Sequence, residues 1–163
     1  MRLQGMALVA AAMAMAAATM AGCTGQIYSP NGPKTPGASI TGRQLWQASG
    51  EVREPGNAID GSVQTAAVGQ RTGNGESLTI DLGRPCMFNF VAIDHGPEEM
   101  GFARTTVLLT SMDGKAFEYR HAAPGTRRVT SLCPISPILA RYVRLQVLVP
   151  GERPWSLAEI YIH

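Results

Sequence analysis

The chain has 163 residues, the length of one ordinary domain, and sets Lys+Arg 14 against Asp+Glu 12 for a formal net charge of +2. With 16% charged residues and a mean hydropathy of +0.00, it is not a disordered polyelectrolyte, and it lacks the strong basic balance of a nucleic-acid-binding protein. Only Lys34 and Lys115 are lysines, so nearly all the positive charge is guanidinium.

The amino-terminal segment reads as an address. Arg2 gives the start a positive charge, Met6 to Ala21 then runs without any charge, and small residues lead to Cys23. That is the layout of a secretory signal peptide; the run is too short and too Ala-rich for a firm membrane span. Met20-Ala21-Gly22-Cys23 resembles the lipobox of bacterial lipoproteins. The resemblance implies cleavage after residue 22, acylation of Cys23 and anchoring to a membrane of the bacterial cell envelope, the outer membrane in a Gram-negative cell. Residues 23–40, rich in Gly, Pro, Ser and Thr and without apolar periodicity, read as the lipidated Cys plus a tether. The folded domain is expected over 41–163.

Two cysteines remain in that domain. Cys86 and Cys133 form an even pair in an oxidising compartment, which points to a disulfide, with two buried thiols as the alternative. His95, His121 and His163 are scattered and no Cys-x-x-Cys occurs, so a transition-metal site is not indicated.

After residue 40 no segment sustains a helical apolar period, while strand signals are frequent. The first lies over 43–49, with Leu45 and Trp46. Ser77 to Leu82 alternates, with Leu78, Ile80 and Leu82 on one face, and Gly83-Arg84-Pro85 is expected to stop it. Residues 87–94 are apolar on both parities, as in a strand covered on both sides. Residues 105–111 and 116–121 flank Asp113-Gly114, a hairpin signal. Further strands are expected over 127–132, 139–149 and 157–162. About eight strands between turns describe an all-β sandwich or barrel.

Five stretches then carry a resemblance. Asn57 to Thr65 (NAIDGSVQT), Leu78 to Gly83 (LTIDLG), Ser111 to Phe117 (SMDGKAF), Ala140 to Leu145 (ARYVRL) and Leu157 to Ile160 (LAEI) are similar, in order, to elements of the discoidin, or F5/8 type C, family. The resemblance covers about residues 43 to 163 and implies a galactose-binding-like jelly-roll β-sandwich of mostly antiparallel strands, close to the family 32 carbohydrate-binding modules. One departure is Thr65-Ala66-Ala67, where the family usually places a Trp shortly after the Thr.

The resemblance also implies a structural Ca²⁺ near the first loop. The matching positions are Asp60, Ser62, Thr65 and Glu159, with Ala58 offering a carbonyl; such ions take six to eight oxygen ligands. A metal-free turn capped by Asp60 is the alternative. Carbohydrate recognition in this fold falls on loops at one end of the sandwich. Three loops qualify: Gly50 to Asn57 with Glu51, Arg53 and Glu54; Asp94 to Arg104; and Pro150 to Trp155. His95, Arg104 and Trp155 are the first-choice sugar contacts, because guanidinium and imidazole bond hydroxyls and an indole face covers a pyranose ring. Arg153 and Glu98 come second. For each a structural role is the alternative: His95 bonded to a loop carbonyl, Arg104 paired with Asp94 or Glu98, Trp155 capping the core. Arg144 is expected to pair with Asp81, and Arg127-Arg128 reads as a solvated hairpin pair, with anion binding as its alternative.

Catalysis is not indicated. Asp94, Glu98 and Glu99 lie on a single loop without a second carboxylate on a rigid partner strand, and neither Gly-x-Ser-x-Gly nor His-Glu-x-x-His occurs. The expected function is a lipid-anchored envelope protein whose domain binds carbohydrate; the alternative is a structural lipoprotein that docks another envelope protein.

Overall fold

The computed structural model describes residues 42–70 and 74–163. The expected signal peptide, Cys23 and the whole tether lie outside the described residues. The domain is all-β. Its strands are Gln47–Gly50 (β1), Val52–Arg53 (β2), Ala67–Gly69 (β3), Ser77–Phe88 (β4), Val91–Asp94 (β5), Thr105–Ser111 (β6), Glu118–Pro124 (β7), Val129–Leu132 (β8), Ile138–Val149 (β9), Ser156–Leu157 (β10) and Glu159–Ile162 (β11). They form a five-stranded sheet in the order β1-β4-β9-β6-β7 and two three-stranded sheets, β10-β3-β2 and β11-β5-β8. Every pairing is antiparallel.

The core follows from strand alternation. Leu78, Ile80 and Leu82 of β4, Val143, Leu145 and Val147 of β9, and Leu108 of β6 turn inward from the large sheet. Val91 and Ile93 of β5, Leu132 of β8, Leu157 of β10 and Ile160 and Ile162 of β11 meet them from the other layer. The long β4–β9 ladder sets the register, with Leu78 opposite Leu145 and Ile80 opposite Val143. The β6–β7 hairpin closes where expected: Asp113 Oδ1 accepts from the N–H groups of Lys115 (2.8 Å) and Ala116 (3.0 Å), and Gly114 takes the left-handed φ of 74° that the turn requires.

Several expectations need correction. Residues 43–45 form a 3-10 turn, not the start of a strand. β4 does not stop at Gly83-Arg84-Pro85; its register shifts between Asp81 and Cys86 and pairing with β9 resumes through Phe88. The bulge absorbs what the turn residues signalled. Residues 87–94 are not one strand. The chain leaves the large sheet after Phe88 and enters the β11-β5-β8 sheet at Val91, and the N–H groups of Asn89 and Phe90 bond to the His163 carbonyl in between. Both parities are apolar because two strands of opposite layers adjoin there.

Arg144 does not pair with Asp81. The register sets Arg144 opposite Thr79, whose hydroxyl accepts from its Nε at 2.9 Å, and the guanidinium lies 3.7 Å over the Phe117 ring. Arg141 holds Asp81 instead, through two bonds of 2.8 Å, and this fork holds the Asp81 carboxyl below its ordinary value.

Cys86 and Cys133 are not disulfide-bonded. Cys86 sits inward on β4, its thiol donating to the Arg84 carbonyl at 3.2 Å, and Cys133 follows β8 in the other sheet. Burial pushes the Cys86 thiol above its ordinary pKa.

Leu145 is fully buried where β4, β9 and β6 meet, opposite both Leu78 and Leu108. Leu145→Ala is expected to cost about 2–5 kcal/mol in denaturant unfolding, from lost burial plus the cavity left behind.

Candidate functional site

Three loops meet at one end of the sandwich: 95–104 between β5 and β6, 125–128 between β7 and β8, and 150–155 between β9 and β10. They are joined by backbone. The Gly101 N–H closes a turn onto the Glu98 carbonyl (2.7 Å), the Ser156 N–H bonds the Gly101 carbonyl (2.7 Å), and the Gly125 N–H bonds the Arg104 carbonyl (3.0 Å). Glycine lets the loops approach this closely. A Cβ at Gly125 would fall 1.8 Å from the Ala103 carbonyl oxygen, and one at Gly151 would fall 2.0 Å from that of Phe102.

His95 is the hub of this cluster. It is fully buried, with Nδ1 2.6 Å from the Ser156 carbonyl and Nε2 2.9 Å from the Thr130 hydroxyl. A carbonyl can only accept, so Nδ1 carries the proton and Nε2 accepts from Thr130. Its backbone adds an N–H bond to the Arg128 carbonyl (2.8 Å), and its carbonyl accepts the Ser156 hydroxyl (3.1 Å). Desolvation lowers its pKa, against the raising effect of the Ser156 carbonyl and Asp94.

This corrects the expectation for two of the sugar contacts. His95 bonds a loop carbonyl from inside the protein, and Trp155, 2% exposed, belongs to the core. Both stand beside strand ends, where a loop residue is drawn inward to close the sandwich. The other three are on the surface. Arg104 is exposed and pairs with Glu152 of the neighbouring loop at 3.2 Å, not with Asp94 or Glu98. Arg153 and Glu98 are exposed and make no ion pair among the described residues. The Arg127 Nε bonds Glu99 at 2.8 Å. Arg128 has a left-handed backbone, φ 69°. The loop 50–57 exposes Glu51, Arg53 and Glu54, and the Glu54 carboxylate accepts from Asn57 Nδ2 at 3.0 Å.

The expected calcium positions also come together. The Asp60 carboxylate accepts from the Ser62 N–H (2.8 Å) and the Thr65 hydroxyl (2.7 Å), and Thr65 Oγ1 lies 3.1 Å from the Ser62 carbonyl. Ala58 is buried in the 3-10 turn just before. Glu159, 1% exposed, reaches this loop from β11 through the Gly61 N–H. Burial raises its pKa, and Arg43 opposes the rise. Arg43 had no expected role, yet its guanidinium grips Glu159 Oε1 between the rings of Trp46 (5.2 Å) and Tyr161 (5.8 Å). Glu159 Oε2 is buried with no hydrogen-bond partner. The loop offers hard oxygen donors of the kind Ca²⁺ takes, and Glu159 brings an unpartnered buried carboxylate oxygen towards it. The described residues hold no cluster of three or more His, Cys, Asp or Glu able to bind a metal.

The hub predicts a pH dependence. His95 has a folded pKa below its ordinary 6.5, so the unfolded chain takes up the proton first. The stability it contributes is full above about 6.5 and is lost as pH falls through the lowered folded value. Urea midpoints are expected to fall between pH 7.5 and pH 5, and His95→Gln is expected to remove most of that dependence.

With this geometry in view, the comparisons with known proteins are direct. The chain matches the F5/8 type C domain model over residues 38–160. No curated protein matches it. Among solved structures it is similar to the family 32 carbohydrate-binding module of Clostridium perfringens NanJ in complex with galactose, at 19% identity and TM-score 0.64, covering 74% of this chain and 94% of that one. It is similar to CpGH89CBM32-5 of Clostridium perfringens in complex with GalNAc-β-1,3-galactose, at 21% identity and TM-score 0.65, covering 74% and 96%. It is also similar to CBM32-1 from a Clostridium perfringens family 31 glycoside hydrolase, at 16% identity and TM-score 0.66, covering 79% and 99%. The fold is the galactose-binding-like β-sandwich of these modules, and by its sequence the chain belongs to the F5/8 type C family.

Proposed function

We propose that this chain is a lipid-anchored protein of the bacterial cell envelope whose F5/8 type C domain binds carbohydrate without cleaving it. One observation carries the reading: the clamped loop end presents Arg153 from one loop, and Glu98 and the Glu152-paired Arg104 from a second, to solvent. Fixed charged donors and an acceptor suit the ring of hydroxyls on a saccharide, and their fixed backbone limits the ordering cost of weak binding. The similar modules solved with galactose and with GalNAc-β-1,3-galactose support the same ligand class. Glu99 and Glu152 are held by arginines on loops, an arrangement that favours recognition over acid–base chemistry. The lipid anchor rests on the resemblance around Cys23. A cell-wall polymer, an exopolysaccharide or a host glycan would then be held at the membrane surface.

A structural Ca²⁺ belongs to this reading. Asp60, Thr65 and Glu159 would hold it, with carbonyls of Ala58 and Ser62, and its chemistry would be to fasten the first loop to the last strand. Added Ca²⁺ is expected to raise the melting temperature by several degrees and chelator to reverse it; no change in either direction would remove the metal from the account.

A second reading, docking of another envelope protein, is favoured by exposed apolar residues away from the loops. Met87 and Leu139 face each other across β4 and β9 while 62% and 53% exposed, and Ile135 is fully exposed just before β9. A glycan-array screen of the full chain separates the two. Binding that Arg104→Ala or Arg153→Ala weakens tenfold or more supports the carbohydrate reading; no binding by folded protein favours docking.

A further inference from the structure

We infer that the loop end takes an acidic saccharide, read by Arg128 and Arg153 on either side of the Glu98–Gly101 turn. The inference rests on the carbohydrate reading and narrows its ligand class.

The first support is which charges remain available. The three loops carry four arginines. Arg104 is engaged by Glu152 and Arg127 by Glu99. Arg128 and Arg153 are exposed and make no ion pair among the described residues. A guanidinium presents a planar fork that matches a carboxylate or sulfate in two parallel bonds, far more strongly than it matches a single hydroxyl.

The second is the backbone at Arg128. Its φ of 69° is uncommon for any residue but Gly, Asn or Asp. The conformation is imposed from both sides: the Arg128 N–H bonds the Glu99 carbonyl at 3.2 Å, and its carbonyl accepts from the N–H of buried His95 at 2.8 Å. Glycine would meet the same demand without strain, yet the residue at this position is an arginine. Strain held by a rigid surround is a mark of a side chain with a task.

The third is what these loops lack. A neutral pyranose is held largely by an aromatic face, and loops 95–104, 125–128 and 150–155 present no fully exposed aromatic ring. Trp155 is 2% exposed, and Phe102 is half-buried, its ring 6.2 Å from that of His95. Charge-assisted bonds must supply what stacking does not.

The positions agree. The Glu98–Gly101 turn bonds the Arg128 N–H through Glu99 on one side and the Ser156 N–H through Gly101 on the other. A Cβ on Gly101 would lie 3.2 Å from the Pro154 carbonyl oxygen, next to Arg153. The two arginines therefore border one turn. Exposed Glu98 on that turn is placed to accept from the hydroxyls of the same sugar.

The test is a calorimetric titration of the full chain with alginate as a polyuronate, its propylene glycol ester as the neutral counterpart, a sulfated galactan and a neutral galactan. Alginate or sulfated galactan is expected to bind at least tenfold more tightly than the neutral polymers and to weaken in 0.5 M NaCl, roughly the regime where exposed charges are screened. Which of the two binds better tells carboxylate from sulfate. Arg128→Gln with Arg153→Gln should weaken that binding tenfold or more at an unchanged melting temperature. Arg153→Gln alone, away from the left-handed backbone, should weaken it severalfold should the double variant misfold. Equal binding of alginate and its ester, or of the neutral galactan alone, overturns the inference and leaves the carbohydrate reading standing. Binding to none of the four overturns the inference, and a blank glycan array beside it overturns the carbohydrate reading too.

Discussion

A buried, neutral imidazole holds the loop end of this domain together. His95 sits at the end of β5 and joins Thr130 on β8 to Ser156 on β10 through its two ring nitrogens. Its main chain adds Arg128. These partners are far apart in sequence, and without the ring the Ser156 carbonyl and the Thr130 hydroxyl would each lose a partner in the interior. Such a loss costs more than the bond gains, because the orphaned groups have already been stripped of water. The Thr130 hydroxyl also receives the Thr126 N–H at 3.1 Å, so the 125–128 loop depends on the same contact. Surface arginines on these loops are displayed in a defined way because the residue beneath them has only one protonation state that satisfies its neighbours.

The sandwich itself was largely legible before any coordinates. Ser77 to Leu82 alternates because one face is buried, and Leu78, Ile80 and Leu82 are all fully buried. The long stretch that became β9 showed the same pattern at Val143, Leu145 and Val147, and the Asp113-Gly114 signal marked the hairpin. Where alternation carried less information the reading failed. Residues 87–94 show apolar side chains on both parities, which suits one doubly covered strand as well as two strands in opposite layers. Gly83-Arg84-Pro85 looks like a terminator, yet a bulge tolerates the same residues, since they leave the ladder only locally. The register between β4 and β9, invisible in either strand alone, decided that Asp81 meets Arg141.

The site was legible in its loops and not in its side chains. Glycine and proline marked 94–104 and 150–155 as shaped loops, and both do converge with 125–128. Which residue on a loop faces inward is a tertiary matter. His95 and Trp155 had the chemistry of sugar contacts, but both lie within a residue of a strand end, where the sandwich needs a plug. The resemblance pointed from Asp60 and Thr65 to Glu159, and Glu159 does reach the Gly61 N–H of that loop from the far end of the domain, a contact that no local pattern could reveal. Arg43 was missed for the same reason. Its partners are Trp46, three residues on, and residues 159 to 161, at the far end of the chain.

The Arg43 clasp also decides how the domain bears load. β1 is an edge strand of four residues, and a pull arriving through the segment before Gly42 would otherwise peel it from β4 one bond at a time. Arg43 lies ahead of β1 and is fastened to the carboxylate of Glu159 and the carbonyl of Ile160 at 3.3 Å. Such a pull would pass beyond the edge strand to β11, which pairs with β5 and is buried at all four of its residues. The first described residues and the last strand thus share a single point of attachment.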